Sequence, residues 1–177
     1  MVVAHLNPNS KILDLGCGMG EPIAGYFIGQ GFKLVGVDGS RKLVELAEKR
    51  FPNTQFLHMD MRGLDLNETF DCVIAWHSFF HLTPEEQRKM FQTFERHMNP
   101  GALLLFTSGP DAGEVWSDNG GENLYHASLS TGEYKELLKK HHFDVITHNL
   151  EDASCGGATV WVAQYHSSPT DKTSMVC

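Results

Sequence analysis

The run Ile12-Leu13-Asp14-Leu15-Gly16-Cys17-Gly18-Met19-Gly20 restricts this chain to a small set of folds. Its first half is an apolar, β-compatible stretch of the kind that forms a parallel strand buried on both faces. Its second half has glycine at every second position, so the backbone can turn sharply and no Cβ blocks a ligand. Glu21-Pro22 then opens a helical pattern, with proline suited to a first helical position, where no backbone N–H is needed. Strand, glycine turn and helix start together are expected to hold an anionic group with backbone donors and the helix dipole.

Spacing narrows the ligand. A dinucleotide fingerprint reads G-x-G-x-x-G, whereas Glu21 follows Gly20 and the pattern here is G-x-G-x-G. The next apolar run, Leu34 to Val37, ends in Asp38, about 20 residues on, where a ribose hydroxyl pair would be gripped.

A chain of 177 residues can bury the core of one domain. No apolar run is long enough to span a bilayer, and Met1-Val2-Val3-Ala4-His5 has no basic start leading into an apolar stretch, so no signal peptide is expected. Net charge is −8 with scattered lysines and arginines, which argues against nucleic acid, because phosphate binding needs a basic stripe. Cys17, Cys72, Cys155 and Cys177 show neither metal nor disulfide spacing. His77 and His81 are four apart, but no third ligand follows at a telling interval, so no metal is expected. These features describe a reduced, cytoplasmic protein without a membrane or nucleic-acid partner; a homodimer stays open.

Along the chain, Ile23, Ala24, Phe27 and Ile28 recur at helical spacing. Ser40 caps a second helix with apolar face Leu43, Leu46 and Ala47, stopped by Phe51-Pro52. Thr54 to His58 is a third strand, and its link to the fourth, near Phe70, is too short for a regular crossover helix. Phe70 to Trp76 is strand four. Thr83-Pro84-Glu85-Glu86 is a capping box opening a helix that buries Met90, Phe91, Phe94 and Met98. Ala102 to Thr107 is strand five, and Ser108 to Ser128 reads as irregular. Ser130-Thr131-Gly132-Glu133 is a second capping box, Phe143 to Leu150 and Ala158 to Tyr165 are the last strands, and the polar tail from Ser167 to Cys177 is expected to be disordered. His97, His141 and His142 fall at helix ends and are expected on the surface. Strand-helix alternation through strand five gives an α/β fold with a parallel sheet.

In an open α/β sheet, ligands sit beyond the carboxyl ends of the strands. That rule selects Gly16 to Gly20, Asp38-Gly39-Ser40, Met59-Asp60-Met61, Trp76-His77-Ser78 and Thr107 to Pro110.

The glycine pattern, Asp38, Asp60-Met61 and His81-Leu82 resemble the class I (Rossmann-like) methyltransferases dependent on S-adenosyl-L-methionine (SAM), of the small-molecule type. The resemblance implies a doubly wound, mostly parallel seven-stranded sheet of order 3-2-1-4-5-7-6 with an antiparallel last strand, in one domain over residues 1–166. It implies SAM as cofactor, leaving as S-adenosylhomocysteine. Gly16, Cys17, Gly18 and Gly20 would face its methionine part, and Asp14 would orient that turn or meet the ammonium through water. Asp38 and Gly39 would take the ribose, Asp60 the adenine amino group, Met61 would cover the ring and Trp76 would line the pocket. Family members usually carry helices before strand one that cap this pocket, so an open site or a lid from a partner is expected.

Ala75-Trp76-His77-Ser78 is not the Asn/Asp-Pro-Pro-Tyr/Phe of methyltransferases acting on adenine or glutamine nitrogen, and has neither the Pro-Cys pair of cytosine C5 enzymes nor the acid of catechol-type metal sites. The resemblance therefore implies methyl transfer to oxygen or nitrogen of a small soluble acceptor. His77 and His126 are the candidate bases, since imidazole titrates near neutrality, and Asp152 and Cys155 are candidates for orienting substrate. The alternatives are a non-catalytic SAM-binding or partner-binding subunit, and a nucleotide-dependent oxidoreductase, against which Glu21 counts.

Overall fold

The computed structural model describes residues 2–167, so residues 168–177, most of the tail expected to be disordered, lie outside the described ones. Seven strands form one sheet: β1 (Lys11–Leu15), β2 (Lys33–Asp38), β3 (Gln55–His58), β4 (Phe70–Ala75), β5 (Met98–Ser108), β8 (Phe143–Asp152) and β9 (Ala158–Tyr165). Their order is β3-β2-β1-β4-β5-β9-β8, parallel except for β9, which runs antiparallel between β5 and β8. Counted within the sheet, this is the class I methyltransferase order; the numbers shift because two strands are inserted after β5.

Those two strands correct the sequence reading. The segment expected to be irregular holds an antiparallel hairpin, β6 (Gly113–Asn119) and β7 (Glu122–Ser128). Gly120 and Gly121 join them at φ 67 and 94, and a two-residue loop with both φ positive matches the twist of a hairpin.

Alternation along the strands sends side chains into two cores. Leu13, Leu15, Val73 and Ala75 face α3 (Pro84–Arg96) and α4 (Thr131–Lys140), with Phe91, Phe94, Tyr134 and Trp161 in the same layer. Ile12, Cys72 and Ile74 face the opposite layer of α1 (Ile23–Gly29) and α2 (Arg41–Arg50). The helix starts differ in quality. Thr83 makes the full reciprocal box with Glu86, whereas Ser130 only accepts from the Glu133 amide. Pro22 occupies the cap position of α1, one residue before the place expected. On α2 the buried residues are Val44 and Ala47, and Leu46 is 40% exposed, so the apolar face is rotated from the one read in sequence.

His97 overturns its expected surface position, being 1% exposed. Its Nδ1 lies 2.8 Å from the Thr93 carbonyl and its Nε2 accepts from the Leu66 amide at 3.1 Å, a pairing that fixes the neutral Nδ1–H tautomer. It thereby fastens the helix-free link between β3 and β4 to the end of α3. His97→Ala leaves the part-buried Leu66 amide without that acceptor and is expected to cost about 1–3 kcal/mol, read as a lower urea midpoint at unchanged slope.

Candidate functional site

The chain leaving β4 turns at His77, a non-glycine residue at φ 49. Such backbone is costly unless its surroundings hold it. Here the Thr107 hydroxyl, at the end of β5, accepts from the His77 amide at 2.9 Å. The next residue, Ser78, is buried and donates from Oγ to the Leu15 carbonyl at 2.6 Å. A Cβ on Gly16 would collide with Ser78, so glycine is needed there for close approach and not only for its φ of +80. Phe79 then enters the core completely, with ring centroids 5.3–6.2 Å from Phe91, Phe94, Phe106 and Tyr134. That anchor fixes the short 3-10 turn Phe79–His81 and leaves His77 and His81 facing outward.

Three cavities converge on His77. One of about 420 Å³ lies between Phe80, the hairpin residues Glu114, Val115 and His126, and Gly156-Gly157 after β8. A second, of about 590 Å³, is lined by Asp14, Cys17, Gly18, Glu21, Trp76 and Cys155. A third, of about 740 Å³, runs past Asp38, Gly39, Met59, Asp60, Met61 and His81. His77 lines all three, and Gly16 and Gly18 line the last two. Gly20, at φ +84, lines none of them, and a Cβ there would meet the Phe51 ring.

The glycine turn does not offer the anion site expected of it. The Gly16 and Cys17 amides donate to the Val37 carbonyl at 2.7 and 3.1 Å, and the Gly20 amide donates to Cys17 at 3.0 Å. The Gly18 amide donates to Asp38 Oδ2 at 2.9 Å, while Oδ1 accepts from the Ser40 amide at 2.8 Å. These donors are spent on shaping the loop, and α1, with 7 residues, supplies little dipole. The second cavity is negative instead. Among the described residues it holds Glu21 and Asp14 and no lysine or arginine. Asp14 is 2% exposed, and among the described residues its Oδ2 has no hydrogen-bond partner. Burial, followed by the nearby Asp38 charge, pushes the Asp14 carboxyl up to about 7. Burial likewise raises the Cys17 thiol, which removes it as a nucleophile.

In the third cavity Asp60 grips Arg62 through both oxygens, at 2.9 and 3.0 Å from Nε, and Arg62 reaches on to Glu86. The guanidinium holds the exposed Asp60 carboxyl below its ordinary range. Asp152 caps the turn after β8, accepting from Ser154 and Asn149, and lines none of the three cavities, whereas Cys155 lines the second.

His77 and His126 come together at the first cavity, one from the end of β4 and one from the hairpin. Phe80 stands between them, with centroids 5.7 Å from His77 and 5.2 Å from His126. Among the described residues neither imidazole has a hydrogen-bond partner. Partial desolvation, then the nearby His81, lowers both from the ordinary imidazole range, which favours the neutral, proton-accepting form. His81 Nδ1 lies 2.9 Å from the Tyr125 carbonyl, and Gln87 Nε2 donates to the Ala127 carbonyl at 2.9 Å, so the hairpin is fastened on both sides of His126. Sequence reasoning passed over Phe80 and Glu114 in this site, while Ser78 and Thr107 fall in segments it had placed on the ligand side. Gly120-Gly121 between two β-compatible runs was the signal that would have found the hairpin and with it Glu114.

A glycine turn on β1, an acid closing β2 and ligand space beyond β4 define a class I methyltransferase domain. Residues 12–101 match the family described as a methyltransferase domain, and the chain belongs to that family. It is 22% identical over 146 residues to an uncharacterized methyltransferase of Oceanobacillus iheyensis, covering 82% of this chain and 62% of the relative. It is 26% identical over 157 residues to a phosphoethanolamine N-methyltransferase of Plasmodium falciparum, covering 84% of this chain and 59% of that protein. The chain thus spans about three fifths of the length of these relatives. A SAM-dependent methyltransferase from Methanosarcina mazei shares the fold at a TM-score of 0.80 and 18% identity, over 94% of this chain and 97% of that one.

Asp14 has a consequence for stability. Its folded-state value of about 7 lies above the unfolded one near 3.9, so the folded protein holds a proton that the unfolded chain releases. Unfolding free energy is therefore expected to fall as pH rises from about 4 to about 7, and Asp14→Asn should flatten that slope in urea titrations run across this range.

Proposed function

We propose that this domain transfers the methyl group of SAM to an oxygen or nitrogen atom of a small acceptor. The observation that carries this reading is the convergence of three cavities on His77, two flanking Gly18 and one beneath the hairpin. A Cβ on Gly18 would meet nothing within 4 Å, so the space over it is open for a ligand. The negative second cavity, with the unpartnered Asp14 oxygen, suits the ammonium and sulfonium of SAM. The spent turn amides suit a pyrophosphate poorly, which weighs against a dinucleotide.

SAM supplies a methyl group already activated on a sulfonium. The remaining work is positioning, which accounts for much of the acceleration in such displacements. Asp38, its carboxylate held by the Gly18 and Ser40 amides, has lone pairs left for a ribose hydroxyl pair. Asp60, kept ionised by Arg62, accepts from the adenine amino group, and Met61 covers the ring. His77 and His126 hold the acceptor and take its proton. No helix among the described residues is long and apolar enough to cross a membrane, and a water-borne acceptor fits that.

Gly18→Val should remove the SAM-induced thermal shift in a variant that folds with a lowered melting temperature, because its branched side chain fills ligand space and is strained at φ +56. Asp38→Ala should weaken SAM binding by about 1.5–3 kcal/mol in calorimetry, since a charge-assisted hydrogen bond is lost. A retained thermal shift in the first variant, or unchanged affinity in the second, overturns the cofactor placement. His126→Ala should cut turnover about 10²–10⁴-fold at unchanged SAM affinity. In the parent protein, turnover should persist as pH drops through 6.5 and fail only below it, because both imidazoles are shifted downward.

A further inference from the structure

The cavity beneath the hairpin has a charge pattern that the methyl-transfer reading does not require. Asp111 and Glu114 stand at its exposed rim, and among the described residues no lysine or arginine lines it. Glu114 is steadied by the Tyr125 hydroxyl, which donates to Oε2 at 2.6 Å and leaves Oε1 available. Further in, the Phe80 ring presents an aromatic face between two imidazoles, and Ala127 and Ala158 close the wall. The hydroxyls at the floor are engaged: Ser108 Oγ donates to the Gly109 carbonyl and accepts from Trp161 Nε1, and Ser128 Oγ accepts from the Gly109 amide. Besides one N–H on each neutral imidazole, the inner end offers an anion nothing positive, whereas the free imidazole nitrogens and the Phe80 ring accept from, or attract, a cation.

We propose that this cavity takes a protonatable amine as the methyl acceptor, and that Asp111 and Glu114 select it by its positive charge. The inference rests on the methyl-transfer reading above and adds the acceptor's chemical class. The rim carboxylates draw the ammonium in, aided by the −8 net charge of the chain. At the inner end one ammonium proton passes to the His77 or His126 imidazole and frees the nitrogen lone pair. That pair forms the bond to the methyl carbon as the carbon–sulfur bond breaks, with its electrons staying on sulfur. The products are the N-methylated ammonium and S-adenosylhomocysteine, and the imidazolium returns its proton to water. A carboxylate or phosphate acceptor would instead meet two like charges at the mouth and, among the described residues, no lysine or arginine to offset them, a screened repulsion that favours the amine.

Three probes on one skeleton test this: benzylamine, benzyl alcohol and benzoate, titrated calorimetrically into the full chain saturated with S-adenosylhomocysteine. Benzylamine should bind roughly tenfold or more tightly than benzoate, and Asp111→Asn with Glu114→Gln should erase most of that difference while benzyl alcohol is unaffected. Both replaced residues are exposed, and an unchanged melting temperature confirms folding. Benzoate binding as well as benzylamine, benzylamine failing to bind at millimolar concentration, or a double variant that keeps the preference each overturns the proposal. Titration of S-adenosylhomocysteine alone separates the two readings. If it fails to bind while the benzylamine preference holds, the cofactor placement falls and the charge selection stands. If it binds and the preference is absent, the acceptor class falls alone.

Discussion

The site depends on two hydroxyls that tie strand ends together. Ser78 Oγ donates to the Leu15 carbonyl, and Thr107 Oγ accepts from the His77 amide, so the ends of β1, β4 and β5 are stapled across the segment that leaves β4. Parallel strands meet their ligands at these ends, where ladder hydrogen bonding stops and the backbone would otherwise fray. The staples are buried or half-buried, where a hydrogen bond is less exposed to competition from water. Gly16 is a condition of the first one, because only a residue without Cβ lets Ser78 approach Leu15.

From that point the two halves of the site follow different physics. The cofactor side is shaped by the backbone: the turn amides are tied to Val37 and Asp38, so the loop has a set form before any ligand arrives. The cavity under the inserted hairpin is shaped by side chains, the hairpin being held through Gln87, His81 and the Tyr134 hydroxyl, which donates to Gln87 Oε1 at 2.6 Å. His77 belongs to both halves, which explains why its backbone is held in a conformation that costs energy.

How far the sequence could be read follows from the same division. β1, β2 and β4 are largely apolar runs, strand-helix alternation points to a parallel sheet, and the resemblance to class I methyltransferases implied its order, so the fold was legible almost throughout. The glycine spacing and Asp38 were legible because backbone constraints leave few residue choices. The spending of the turn amides was not, since it depends on how β2 sits beside β1 and not on either strand alone. His97 was misjudged because its partner, the Leu66 amide, lies 31 residues away in sequence. The hairpin was passed over although Val115-Trp116 and Leu124-Tyr125 flank a Gly-Gly turn, because the surrounding serines, acids and glycines masked a short strand pattern. Leu46 for Val44 is a smaller error of the same kind: one helix turn admits two faces until the sheet beneath selects one.

The base of the inserted hairpin closes on itself. The Gly109 amide donates to Ser128 Oγ at 2.7 Å, and these two residues bracket nearly the whole excursion between β5 and α4. A loop whose stem is already fastened can be lengthened, shortened or replaced at little entropic cost, because closure depends only weakly on length. The sheet would register such an exchange hardly at all, since the ends of β5 and α4 stay where they are. Within this architecture the hairpin is thus an interchangeable cartridge on a fixed chassis, and the wall it gives the cavity beneath it could be exchanged without rebuilding the sheet.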